Sequence, residues 1–248
     1  MPQEHHHQPS GPLVLAVTLA ATAGFVDAHV FLNVAPVFVA NMSGNLIHMG
    51  MFAGQTEWAD VGRAALAIVL FVAGVMVATV HHDRRVREGR SVRPTALLGV
   101  EAAIVVALPV LMGSVFASSS VEPWFGDDAV IALAAFAMGL QTAALRRVGS
   151  VAVATTYGTG SIVRIGEKLV LAFRRAERVS DGRRTRTIVI LVTVVTCYVL
   201  GAVLASALGA SRWWLLVPGI VLVAAVVFTF EAPEPEWDTV GELDDSSD

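Results

Sequence analysis

The chain has 248 residues, of which 55% are hydrophobic and 15% charged, and its formal net charge is −4. Soluble domains carry about 25% charged residues, so this composition argues against a water-soluble enzyme or a nucleic-acid-binding protein. Long apolar runs separated by short charged joints are typical of an all-α, polytopic helical membrane protein.

Six stretches are long and apolar enough to cross a bilayer as helices, because a hydrocarbon core of about 30 Å needs about 20 helical residues. The stretches are 13–33, 63–81, 95–115, 129–146, 187–208 and 213–230. We therefore predict a single membrane domain over residues 13–230. It lies between an N-terminal tail (1–12) and an acidic C-terminal tail (231–248), both of which we expect to be disordered.

The arginine-rich joints predict the orientation. The joints 82–93, 146–147 and 174–186 hold 13 of the 17 basic residues, whereas the joint 113–128 holds none. Cytoplasmic loops of membrane proteins are enriched in Lys and Arg, so we place the three basic joints in the cytoplasm and 113–128 outside. Both termini are then expected in the cytoplasm.

Two further apolar stretches, 36–54 and 150–173, are interrupted by Gly, Ser, Thr, Asn and charged residues. The second stretch lies between two joints that we place in the cytoplasm, so it must enter and leave the membrane from that side. If the first stretch is also re-entrant, it enters and leaves the membrane from outside. We predict two re-entrant or broken segments in addition to six spans; full crossing by both, which gives eight spans, is the alternative.

The two broken segments resemble each other, which predicts an internal repeat. The sequence MSGNLIHMG (42–50) aligns without gaps with GTGSIVRIG (158–166), and Gly24 aligns with Gly139 upstream. Each half, about 13–115 and 129–230, then reads as helix, broken segment, helix, helix. Because the two halves enter the membrane in opposite directions, this is an inverted repeat, an architecture that recurs in transporters. Chance similarity between small apolar residues is the alternative.

Asp27 lies inside the first predicted span. A charge at that depth costs about 3 kcal/mol, so a paired or solvated setting is expected. Gly24 and Ala28 lie on the same helical face as Asp27, and their small size lets another segment approach the carboxylate. Two interpretations stay open: an ion, proton or substrate site, and a structural carboxylate that caps the half-helix that follows.

Short polar residues and glycines mark the tips of both broken segments. Gly permits a sharp turn, and Ser or Asn can cap a returning half-helix. The same residues can instead contact a solute or an ion directly. The candidate substrate- or ion-binding residues are Asp27, Asn41, Ser43, Gly44, Asn45, Gln141, Thr142, Thr159, Gly160 and Ser161.

Other signals are weaker. Glu101 lies a turn or two into the span 95–115, where it is either a proton carrier or an interfacial residue. The single cysteine, Cys197, excludes an intramolecular disulfide. The sequence contains no metal-binding, phosphate-binding or hydrolase motif, so we expect no catalytic residue, metal or cofactor.

The combination of GFVDAHVFL (24–32) with FVANMSGNLIHMG (38–50) resembles the signature of the YoaK-like family of bacterial integral membrane proteins, formerly grouped as a domain of unknown function. The segments AFAMGLQTAAL (135–145) and ATTYGTGSIVRIG (154–166) resemble the second-half pattern of that family. The resemblance covers about residues 13–230. It implies the bacterial inner membrane, but it implies no substrate.

These observations favour a secondary transporter or permease for a small solute, with its site near the tips and Asp27. A channel-like pore and a non-transporting structural or regulatory membrane protein are the alternatives. An intramembrane enzyme would need a second catalytic group near Asp27. The expected partners are the lipid bilayer and an unidentified small solute or ion, not nucleic acid, and self-association into a homo-oligomer is left open.

Overall fold

The computed structural model describes residues 11–90, 94–114, 123–144, 147–148, 151–152, 158–174 and 182–231. Within these ranges the fold is all-helical apart from one antiparallel pair of two-residue strands, β1 (Arg147–Val148) and β2 (Val151–Ala152). The helices are α1 (Gly11–Asn33), α2 (Met42–Gly54), α3 (Trp58–Arg87), α4 (Thr95–Ser114), α5 (Pro123–Ala144), α6 (Gly158–Arg174), α7 (Gly182–Leu208) and α8 (Leu216–Glu231). Both predicted tails fall almost entirely outside the described residues.

Among the described residues, five helices are long and apolar enough to cross a membrane: α1, α3, α4, α5 and α7. They correspond to five of the six predicted spans. The sixth predicted span, 213–230, begins with a 3-10 turn at Arg212–Leu215 and continues as the 16-residue α8. Pro218 lies in the first turn of α8, where its missing N–H removes no helical hydrogen bond.

Large apolar side chains cover much of the outer surface. Among them are Val69, Val72 and Met76 on α3 and Leu200, Val203 and Leu204 on α7, all of which are exposed. A monomeric soluble protein rarely exposes so much contiguous apolar surface, whereas a lipid-facing surface requires it.

Helices α3 and α5 run parallel and cross at a pair of glycines. Arg63 near the start of α3 donates to Asp128 near the start of α5 over 3.1 Å, and Gly74 meets Gly139 further along both helices. A Cβ on Gly74 would lie 2.2 Å from the carbonyl oxygen of Phe136, and one on Gly139 would lie 2.2 Å from that of Phe71. Only glycine permits this close approach of two backbones.

Helices α1 and α7 cross in the same way at Gly24 and Gly201. A Cβ on Gly24 would lie 1.9 Å from the carbonyl oxygen of Tyr198, and one on Gly201 would lie 2.0 Å from that of Ala21. In both crossings the carbonyl belongs to the residue three positions before the partner glycine. The two helix pairs therefore share one packing geometry.

Helices α1 and α5 run in opposite directions. Gln141 near the end of α5 donates to the carbonyl oxygen of Leu19 in the first half of α1. The first half of α5, with Val130 and Ile131, lies instead in the buried cluster that contains Val26 and Val30 from the second half of α1. This bundle surrounds the non-helical chain between α1 and α2.

Candidate functional site

The chain between α1 and α2 is not helical, and we call residues 34–41 the arm. Val37, Val39 and Ala40 of the arm are buried. Backbone N–H groups that leave a helix in an apolar environment need other partners, since each unsatisfied group costs several kcal/mol. The arm is therefore the place where the sequence must supply polar side chains.

Asp27 supplies two of these bonds. Its side chain is 2% exposed, and Oδ1 accepts hydrogen bonds from the backbone N–H groups of Val39 and Ala40 over 2.6 and 2.7 Å. Asp27 lies six residues, or about 9 Å, before the end of α1. The arm is thus held back along α1, well before the last residue of that helix.

Tyr198 of α7 supplies the third bond, because its hydroxyl donates to Oδ2 of Asp27 over 2.5 Å. Three donors, and no acceptor, are bonded to this carboxyl among the described residues, so Asp27 acts as an acceptor on both oxygens. One side chain thereby joins α1, the arm and α7.

Asn45 and Asn41 hold the rest of the arm. The buried side chain of Asn45 accepts from the N–H of Phe38 over 2.8 Å and donates to its carbonyl oxygen over 2.6 Å. Asn41 caps α2, because its Oδ1 accepts from the N–H of Gly44 over 3.3 Å and from the hydroxyl of Ser43 over 2.9 Å. Capping, one of the two roles predicted for these residues, is the role seen in this conformation.

An aromatic group packs against this turn. The Phe38 ring stacks on Phe31 and on His48, and a Cβ on Gly44 would lie 2.8 Å from the Phe38 ring. A nitrogen of His48 lies 3.0 Å from the carbonyl oxygen of Pro36. A side chain at position 44 would therefore have to displace the Phe38 ring.

The structure brings the first-half candidates together around the arm, whereas the second-half candidates that it describes lie on α5 and α6. Gln141 is buried and bonded to Leu19, and the Thr142 hydroxyl donates to the carbonyl oxygen of Met138 over 2.7 Å. Gly160 and the buried Ser161 lie in the first turn of α6. Thr159 lies in that turn too, but its side chain is outside the described residues, as is the segment 153–157.

Sequence reasoning missed Tyr198 and the glycines Gly74 and Gly201. Tyr198 is one of two tyrosines in the chain, and it interrupts an uncharged apolar run. A buried phenol needs a hydrogen-bond partner, so the missing partner of Asp27 could have been sought there. The sequence also did not show that Glu101 is fully buried within the protein, at 0% exposure.

The chain is similar in sequence to a known group of proteins. A family model described as "Protein of unknown function (DUF1275)" matches residues 15–229. The chain is 25% identical over 214 residues to the "UPF0700 transmembrane protein YoaK" of Bacillus subtilis (strain 168), a match that covers 85% of this chain and 90% of that relative. No solved structure matches the chain.

Proposed function

The chain belongs to the DUF1275 family, and on that premise we propose that this multi-pass integral membrane protein is a secondary transporter or permease for a small solute. The observation that carries the proposal is the arm, a non-helical chain held among apolar helices by the buried Asp27. Irregular backbone at membrane depth is tolerated where it is buried in protein or lines a cavity, and interrupted helices of this kind form the binding sites of many transporters.

An inverted repeat is the second part of the proposal. Three observations support it: the α1–α7 and α3–α5 crossings have the same geometry, Gly24 and Gly139 occupy equivalent places in them, and α1 is antiparallel to α5. In a repeat of helix, broken segment, helix, helix, α1 corresponds to α5 and α3 to α7. Each tight crossing then joins one half of the protein to the other.

The arginine-rich ends of the helices support an inner-membrane orientation. Helix α3 ends with Arg84, Arg85 and Arg87. The arm and α2 precede α3 in the chain, so they lead into its other end. With the arginines in the cytoplasm, the arm enters from outside, α6 lies on the cytoplasmic side, and both termini are cytoplasmic. The six spans of this arrangement are the five long helices and α8, which is the shortest of them.

Asp27 is suited to couple the site to the motion of the two halves. It contacts the arm, which belongs to the first half, and Tyr198, which belongs to the second. A movement of α7 relative to α1 must break or re-form the hydrogen bond between Tyr198 and Asp27. It thereby changes the carboxylate that binds the arm. The site residues of the proposal remain the ten candidates of the sequence analysis, with Asp27 and Tyr198 at the joint.

A non-transporting structural protein is the second candidate. The observation that favours it is that both oxygens of Asp27 are already occupied by bonds within the protein. In that case the carboxylate only fixes the arm. We propose no catalytic role for either candidate.

Transport is tested in liposomes that contain the purified protein. A mixture of sugars, amino acids, organic acids and nucleobases is added outside under an inward proton or sodium gradient, and internal solutes are measured by mass spectrometry. We expect saturable, gradient-dependent uptake of at least one solute. Asp27→Asn, which keeps the shape of the side chain but removes its charge, is expected to abolish this uptake while the protein stays folded.

The other outcomes contradict the proposal in different ways. Flux that rises linearly with concentration and ignores both gradients would show a channel. Absence of uptake for every solute would favour the structural candidate. Normal uptake by Asp27→Asn would refute the coupling role of the carboxylate.

A further inference from the structure

Glu101 is a buried acid that has neither a hydrogen-bond partner nor an ion-pair partner among the described residues. It is 0% exposed, and neither carboxyl oxygen has a hydrogen-bond partner among the residues that the structure describes. Nor does it belong to an ion pair within those residues. Asp27, by contrast, accepts three hydrogen bonds, so the two intramembrane carboxyls have different environments.

The side chain of Glu101 faces the interior of the bundle. Leu98 and Val105, which lie three residues before and four after Glu101, share its helical face and are fully buried. Both belong to the cluster that packs α4 against α1, α7 and α8. A lipid-facing acid would not sit on this face.

The helices around Glu101 bring few other ionisable groups. Helix α8 has none from Leu216 to Phe230, and α5 has none after Asp128. Helix α1 carries Asp27 and His29, both toward its C-terminal end. Helix α7 carries Cys197 and Tyr198. It also carries three arginines in its first turns, and their side chains lie outside the described residues. Helix α3, whose Ala78 shares a small cluster with Leu97, carries His81 and His82.

An ionised carboxylate without a partner is very costly at such a place, whereas the neutral acid is tolerated. We propose that Glu101 is a proton-binding site: it holds a proton in this closed arrangement and releases it when the helices around it separate and water enters. Glu101 lies about 9 Å from the first residue of α4. That end follows the arginine-rich joint, so the shortest route for the proton leads to the arginine-rich face of the membrane.

A hydrophobic carbodiimide, dicyclohexylcarbodiimide, tests this directly in membranes without any solute. It reacts with a carboxylic acid in its protonated form: the acid proton passes to a carbodiimide nitrogen while the carboxyl oxygen bonds to the central carbon, and rearrangement leaves a stable acyl urea. We expect peptide mass spectrometry to find the adduct on Glu101 and not on Asp27. The labelling rate should fall as the pH is raised, because only the protonated acid reacts.

Two variants serve as controls. Glu101→Gln should fold as stably as the unmodified protein, because a neutral group replaces a neutral group, and it should carry no adduct. Asp27→Asn should keep the adduct on Glu101. Neither readout depends on transport, so failure of the uptake experiment leaves the proton site standing, and failure of labelling leaves the proposed transport standing.

Four results would overturn the proton site. Two of them concern the label: the absence of an adduct on Glu101 at every pH, and labelling of Asp27 in its place. The third is failure of Glu101→Gln to fold, which would indicate that Glu101 is a charged group with a partner. The fourth is protection of Glu101 from the label by sodium at constant pH, which would indicate a sodium site.

Discussion

Asp27→Ala is expected to lower the free energy of unfolding by about 3–5 kcal/mol, since it leaves the buried N–H groups of Val39 and Ala40 without an acceptor and each such group costs about 1–3 kcal/mol. The Tyr198 hydroxyl loses its acceptor as well. The loss is measured by unfolding the purified protein in mixed micelles with increasing denaturing detergent. Hydrogen exchange should report the same event locally, with a large increase in the exchange rates of the Val39 and Ala40 amides.

Two matched variants separate the bonds of Asp27. In Asp27→Asn the amide oxygen can still accept from Val39 and Ala40, so we expect a loss of about 1–2 kcal/mol. Tyr198→Phe removes one donor and leaves the arm bonds in place, with an expected loss of about 1 kcal/mol. Equal stability of all three variants, or unchanged exchange at Val39 in Asp27→Ala, would show that Asp27 does not hold the arm.

Gly24→Ala is expected to destabilise the protein by about 2–3 kcal/mol, because the added methyl would overlap the backbone carbonyl of Tyr198 and force α1 and α7 apart. A backbone carbonyl cannot move aside as a flexible side chain can. If the two crossings are equivalent, Gly139→Ala should cost a similar amount by separating α5 from α3. Both losses are measured by the same detergent unfolding.

Gly99→Ala is the control for these substitutions. Gly99 lies within α4, and a Cβ there would meet no atom within 4 Å. We expect an unchanged or higher stability, by up to about 1 kcal/mol, because alanine favours the helix. A loss at Gly99 as large as at Gly24, or no loss at Gly24 and Gly139, would contradict the close packing of the two helix pairs.

The sequence predicted those features that depend on one segment at a time. Apolar length predicted six spans, of which five are long apolar helices in the described part of the chain. The interruption within residues 36–54 predicted a re-entrant or broken segment, and the structure shows the non-helical arm followed by the short α2 there. The family assignment is confirmed by the match over residues 15–229. The sequence also suggested a structural carboxylate at Asp27 that caps the half-helix that follows; Asp27 instead accepts hydrogen bonds from the arm, and Asn41 caps α2.

Features that join distant segments could not be predicted in this way. Tyr198 lies 171 residues from Asp27, and an apolar run does not indicate which of its faces meets α1. The same holds for Gly74 and Gly201, which look like ordinary glycines until the partner helix is placed. The burial of Glu101 also depends on packing, because position along a helix does not distinguish the inner face from the lipid face.

The central claim is that the chain between α1 and α3 enters and leaves the membrane on one face. Cysteine labelling from one side of the membrane tests it most directly. Cys197 is first changed to alanine. Single cysteines then replace one of three exposed residues: Leu32 before the arm, Gln55 after α2, or Glu88 after the C-terminal end of α3. A membrane-impermeant maleimide is then applied to intact cells. We predict labelling at positions 32 and 55 from outside and at position 88 only after the cells are broken; labelling of 32 and 55 from opposite faces would show that this segment crosses the membrane completely.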